Sequence, residues 1–92
     1  MDLRCQLYYV LEEYIAGNYD TVTFCYTFFN LFYPDRPKDK LTESEFVQFE
    51  KLAKATSRFS PYDEDFKNYP NAYISAKEIE KIAMETYGAL KK

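Results

Sequence analysis

Two short stretches, LTESEF (Leu41 to Phe46) and ISAKEI (Ile74 to Ile79), follow one template. In each, a hydroxyl residue (Thr42, Ser75) is followed three places on by an acid (Glu45, Glu78). An apolar pair, Leu41 with Phe46 and Ile74 with Ile79, brackets the group. The hydroxyl accepts the backbone N–H of the third helical residue, the acid reaches back to the N–H of the cap, and the apolar pair fixes the entry angle. Tyr19 and Phe24 flank Asp20, a good N-cap, at the same staple spacing. Three helix starts of this kind leave little room for a sheet.

The intervening periodicity agrees. Leu3, Leu7, Val10, Leu11, Tyr14 and Ile15 recur at three- and four-residue steps and predict a helix from Asp2 to Ala16, stopped by Gly17 and Asn18. A second helix runs from the Asp20 cap to Tyr33, because Pro34 disfavours helical geometry in the residue before it. Phe46, Phe49, Leu52 and Ala53 mark a third, ending near Arg58; Ile79, Ile82, Ala83, Thr86 and Leu90 mark a fourth. Only two glycines occur, few for the turns of an all-β chain. The expected fold is all-α, an antiparallel four-helix bundle, with residues 1–92 forming a single domain.

The second helix stands apart. Between Asp20 and Asp35 it carries no charge, and its aromatics cover two faces: Phe24, Phe28 and Phe32 on one, Tyr26, Phe29 and Tyr33 on the other. Such a helix is either sandwiched inside the bundle, the reading favoured here, or half-exposed at an interface.

Charge and cysteines narrow the partners. The chain has fifteen acids against twelve Lys and Arg, a net charge of −3. That disfavours nucleic acid as a direct ligand, which calls for a basic face. Residues 1–35 hold Asp2, Glu12, Glu13, Asp20 and Asp35 against Arg4 alone. An acidic half favours a basic partner, although a merely solvated face is the commoner reason for such a balance. MDLRCQLYYVLEEY lacks the apolar run of a secretion signal, and Thr21 to Pro34 is too short to span a bilayer, so a cytoplasmic protein without membrane contact is expected. In an α-helical hairpin turning near Asn18, Cys5 and Cys25 differ in level by roughly 9 Å, too far for a disulfide; both are expected as packed, reduced thiols.

Catalytic and metal chemistry find no purchase. The chain contains no histidine, the commonest acid–base residue and nitrogen ligand. Its cysteines lack zinc spacing, and two glycines cannot build a phosphate loop. Glu12 and Glu13, adjacent on a helix, point apart. Asp63–Glu64–Asp65 lacks the alternation and central glycine of a calcium loop. Neither catalytic residue, metal site nor cofactor is expected; the chain is read as a binder.

The segment FSPYDEDFKNYPNAY (Phe59 to Tyr73) resists a helix assignment. As a plain connector it would fold Phe59, Phe66 and Tyr73 onto the bundle and leave its acids solvated. As a binding loop it would use Tyr62, Tyr69 and the acidic run, since tyrosines give contact area at low entropy cost and acids steer a basic partner.

The order of features resembles the colicin D-type immunity proteins, which include immunity proteins of contact-dependent growth-inhibition toxins. The resemblance lies in a first helix ending in AGN (Ala16 to Asn18), the aromatic FCYTFFNLFYP, and the capped LTESEFVQFEKLAKATSRF. It continues in F-x-P with acids behind (Phe59, Pro61, Asp63) and a Tyr-Ile step (Tyr73, Ile74) into the last helix. It implies a protein that binds and inhibits a cognate basic, tRNA-cleaving nuclease toxin, covering its active-site cleft with acidic and Tyr side chains. By position the implied toxin-binding residues are Ser57, Ser60, Tyr62, Asp63, Glu64 and Asp65, and the binding-loop reading adds Tyr69 to the toxin-binding set. In the family the acids stand immediately around the F-x-P step, whereas here Ser57, Ser60 and Tyr62 stand there and acids begin at Asp63. The alternative is a helical adaptor that grips a partner through an aromatic groove formed by Tyr26, Phe29 and Tyr33.

Overall fold

The computed structural model describes residues 2–33, 38–60, 67–68 and 73–91. They form four α-helices, α1 (Leu3–Ile15), α2 (Thr21–Phe32), α3 (Glu43–Ser57) and α4 (Ala76–Leu90), with a 3₁₀ turn at Lys38–Lys40. No strand occurs among these residues, and the fold is an all-α bundle.

Each helix begins where its cap demands. The Asp2 and Asp20 carboxylates accept the N–H groups of Cys5 and Thr23 at 2.8 and 2.7 Å. At α3 both halves of the capping box form: the Glu45 N–H donates to Thr42 Oγ1 (3.1 Å) and the Thr42 N–H donates to Glu45 Oε1 (3.0 Å). At α4 the Ser75 hydroxyl accepts the Glu78 N–H at 3.3 Å, while Glu78 itself is exposed; the expected second box forms by this half.

α1 ends in a Schellman motif. The Gly17 N–H donates to the Tyr14 carbonyl and the Asn18 N–H to the Glu13 carbonyl, at 3.0 and 2.9 Å. This geometry puts Gly17 at φ +89°, where a side chain is strained. The chain then reverses into α2, and the Tyr14 and Thr21 hydroxyls, 3.0 Å apart, tie the two helices together at the turn.

Helix directions follow from which residues meet. Phe28 and Phe32 of α2 lie against Phe49 and Phe46 of α3, so these two run antiparallel. Tyr87 of α4 donates to Glu12 of α1, with Glu80 further toward the far end of α1 near Tyr14, so α4 opposes α1. Tyr8 meets Phe49 and Arg4 meets Glu45, so α1 and α3 are parallel. The order is up-down-up-down, with α1 packing on α2, α2 on α3, α3 on α4 and α4 on α1.

One core draws on all four helices. Leu7, Leu11, Phe24, Phe28, Phe32, Phe49, Leu52 and Ile79 are its largest fully buried side chains. Its spine is aromatic: Tyr14 stacks on Phe24 at 4.1 Å between centroids, Phe24 meets Phe28, Phe28 meets Phe49, and Phe49 takes the edge of Tyr8. Each such pair contributes about 0.5–1.5 kcal/mol beyond the area it buries.

Two expectations are corrected. α2 is not sandwiched. Phe24, Cys25, Phe28 and Phe32 face inward, but Val22 and Tyr26 are 53% and 74% exposed, because neighbours cover the helix on only part of its circumference. The cysteines are both free, and Cys25 is buried, but Cys5 is exposed. It stands two residues from both Leu3 and Leu7, on the opposite side of α1 from the packed stripe.

Candidate functional site

The uncovered side of α2 forms one wall of a groove of about 300 Å³, and the last turn of α3 forms the other. Cys25, Phe29 and Thr56 line it together with the exposed Val22 and Tyr26. Several of its polar groups are engaged within their own helices. The Thr56 and Ser57 hydroxyls donate to the carbonyls of Ala53 and Lys54, at 2.7 and 2.6 Å, and the Asn30 amide donates to the Tyr26 carbonyl at 2.8 Å. Burial pushes the Cys25 thiol up to about 12, so it stays neutral. What remains for a visitor is mostly apolar surface, with the Tyr26 hydroxyl and the rest of the Asn30 amide at its edge. At this volume the groove lies at the lower limit of small-molecule sites and suits one or two protruding side chains.

Phe59 closes the groove at the end of α3. Beside it the chain returns: the Ile74 N–H donates to the Arg58 carbonyl at 2.8 Å, and the Ser60 N–H to the Ile74 carbonyl at 3.3 Å. This isolated parallel bridge, Phe59 to Ile74, draws together the two ends of the segment between α3 and α4. Phe59 and Ile74 both pack against the core, so Phe59 anchors the segment as expected. At the other end Ile74 supplies the bridge and packs against the core, directly after the expected Tyr73, which is half-buried.

The structure separates the residues expected to bind a toxin. Ser57 is exposed and lines the groove. Ser60 is 5% exposed, buried beside the bridge, and offers no surface in this conformation. Tyr62, Asp63, Glu64, Asp65 and Tyr69 lie outside the described residues, as does Phe66. Of the aromatic trio proposed for an adaptor, Tyr26 and Phe29 line the groove. Tyr33 lies beyond it, half-buried, with its ring 4.7 Å from Phe29 and 5.6 Å from Phe32.

The strongest electrostatic feature lies elsewhere. Glu45, 7% exposed, accepts from Arg4 Nε (2.9 and 3.1 Å), from the Tyr8 hydroxyl (2.6 Å) and from the Thr42 N–H (3.0 Å). Arg4 also lies over the Tyr8 ring at 5.1 Å. The Arg4 hydrogen bonds, aided by Tyr8 and Thr42 and opposed by burial, hold the Glu45 carboxyl at about 2. Burial and the bond to Glu45 push the Tyr8 hydroxyl up to about 12. Every acceptor direction of this carboxylate is used by the fold. The sequence announces Glu45 as a cap; Arg4 and Tyr8, some forty residues away, carry no local signal of meeting it.

Among the described residues no three His, Cys, Asp or Glu side chains are placed to hold a metal, and no helix is long and apolar enough to cross a membrane. Comparison with protein-family models, with curated proteins and with solved structures returned no match.

Proposed function

We propose that this chain is an immunity-type protein that binds and inhibits a basic, tRNA-cleaving nuclease toxin in the cytoplasm, with Asp63, Glu64 and Asp65 set against the toxin's cationic cleft. The observation that carries the reading is the junction at the end of α3. There Ser57 and Phe59 line an exposed apolar groove, and the bridge to Ile74 holds both ends of the acidic, tyrosine-rich segment beside it. Apolar anchors next to clustered acids are what a basic protein surface requires: the anchors supply affinity and the acids supply encounter rate and selectivity. Ser57, Tyr62 and Tyr69 complete the proposed contact, and Ser60 supports it from beneath. Close charge pairs across interfaces couple by roughly 1.5–7 kcal/mol, so a few acids suffice to dominate.

Co-expression with candidate toxin domains tests the reading. Replacing Asp63, Glu64 and Asp65 with Asn, Gln and Asn should leave helical content unchanged and abolish protection. Full protection by the triple variant excludes the acidic run from the function.

The exposed groove also favours an adaptor that holds a partner helix against Val22, Tyr26 and Phe29. The two readings differ in salt response. Association through apolar contact is nearly indifferent to ionic strength, whereas binding steered by acids slows steeply as salt rises.

A further inference from the structure

We infer that the outer face of α2 pairs two copies of this chain across a two-fold axis, with Tyr26 of each copy set onto the α2–α3 groove of the other. The inference goes beyond the reading of the acidic segment and does not rest on it. A groove filled in this way is closed to any other partner, which would then bind the monomer.

Spacing comes first. Val22, Tyr26, Phe29 and Tyr33 stand four, three and four residues apart, within about 60° of the helix circumference. That is the step of a seam between two helices, and it is separate from the inward stripe of Phe24, Phe28 and Phe32. The spacing also reads the same in both directions. Two antiparallel copies, related by an axis at the level between Thr27 and Phe28, therefore set Val22 against Tyr33 of the second copy and Tyr26 against its Phe29.

Shape agrees with spacing. A contact between identical faces needs a protrusion and a recess on one surface, because each copy must supply both. α2 has them side by side: Tyr26, 74% exposed, and the groove of about 300 Å³ that Phe29 helps to line. Opposing Tyr26 to Phe29 brings each protruding ring onto the recess of the other copy. A rotamer-poor aromatic that enters a recess is the usual form of an interface anchor.

Charge selects this face. A two-fold axis sets each charge beside it against its like, which is unfavourable, so a self-pairing face does best without charges. α2 has none from Thr21 to Phe32, and no described residue lining the groove is charged. The other helices all expose charges: Arg4 and Glu12 on α1, Lys51 and Lys54 on α3, Glu80 and Lys81 on α4. Lys54, one turn before Ser57, pairs with Glu50 at 3.9 Å. One face of a 12-residue helix falls short of the roughly 800 Å² per partner of a standard interface, so the pair is a weak one that forms as concentration rises.

The test is sedimentation equilibrium of the complete chain, kept reduced, from about 10 µM to about 1 mM, where interfaces below the standard size assemble. The mass should rise from monomer to dimer and stop there. In a mixture of isotope-labelled and unlabelled chain, NMR should record contacts between Tyr26 of one copy and Phe29 of the other. Tyr26→Lys and Tyr26→Glu, each at an exposed position, should keep the helical spectrum and weaken association about tenfold or more. An equal mixture of these two variants should associate more tightly than either does alone, because only the mixture sets opposite charges across the axis. A chain that stays monomeric throughout, a mass that climbs past the dimer, or undiminished association of Tyr26→Lys would each overturn the inference. So would a mixture that associates no better than its components. Signals of Val22 and Tyr26 that move only when a foreign apolar helix is added would assign the face to another protein, and would overturn it as well.

Discussion

The guanidinium of Arg4 and the carboxylate of Glu45 meet at 2.7 Å where α1 passes the first turn of α3. Glu45 is also the acid of the α3 capping box. One carboxylate therefore starts a helix and fastens that helix to another, so local and tertiary structure are secured by the same atoms.

Replacing Glu45 separates these roles. Glu45→Gln keeps an acceptor that can close the box but loses the charge, whereas Glu45→Ala removes the cap bond and leaves the Tyr8 hydroxyl without its acceptor. We expect Ala to cost about 2 kcal/mol and Gln about half as much. For a chain of this size the Ala variant should melt roughly 10 °C lower. An Ala variant that melts within a degree or two of the parent would show that the network contributes nothing.

The same carboxylate predicts acid sensitivity. Its folded value of about 2 lies below the ordinary 4.5, so its stabilisation is complete above 4.5 and is lost as pH falls toward 2. The Asp2 and Asp20 carboxyls are also held below their ordinary value by the N–H groups they cap, and act in the same direction. Because the Arg4 side chain is 49% exposed, solvent screens the pair, and Glu45 should account for about 1 kcal/mol of the loss, as for Glu45→Gln. Urea unfolding of parent and Glu45→Gln at neutral pH and near pH 3 gives the check. The gap between them should narrow in acid; a constant gap refutes the assignment.

The two glycines predict opposite signs for one substitution. Nothing lies within 4 Å of a Cβ built at either, so backbone preference alone decides. Gly17→Ala forces a side chain into φ +89° and should cost about 1 kcal/mol or more. Gly88→Ala, inside α4, should stabilise by about 0.5–1 kcal/mol. Thermal melts of the two variants should bracket the parent.

The thiols should differ in access. Cys5 is exposed, though its hydrogen bond to the Asp2 side chain raises it above the ordinary value; Cys25 is buried and raised further. A bulky thiol reagent at neutral pH should titrate one equivalent natively and a second only in denaturant. Native reaction of both thiols at one rate would mean that the floor of the groove is open to solvent.

Helix boundaries were legible in the sequence because caps are local: Asp20, Thr42 with Glu45, and Gly17 with Asn18 each declare their role within a few residues. The outer face of α2 was legible only as an ambiguity, since helical periodicity shows that Tyr26 and Phe29 share a side but not whether a neighbour covers it. Arg4 with Glu45 was not legible at all, because that contact depends on how α1 and α3 are aligned. Ser60 illustrates the converse: its place in a plausible binding motif suggested surface, and the backbone exchange with Ile74 buried it.

That exchange has an evolutionary consequence. A segment closed at its base by Phe59 and Ile74 leaves the four helices indifferent to its length, because each doubling of such a loop adds only about 0.6 kcal/mol of closure entropy. As far as closure entropy decides, residues can be added to or removed from the middle of this segment at small cost to the bundle. Under the proposed function, a new target would call for changes in this one stretch and not in the helices that carry it.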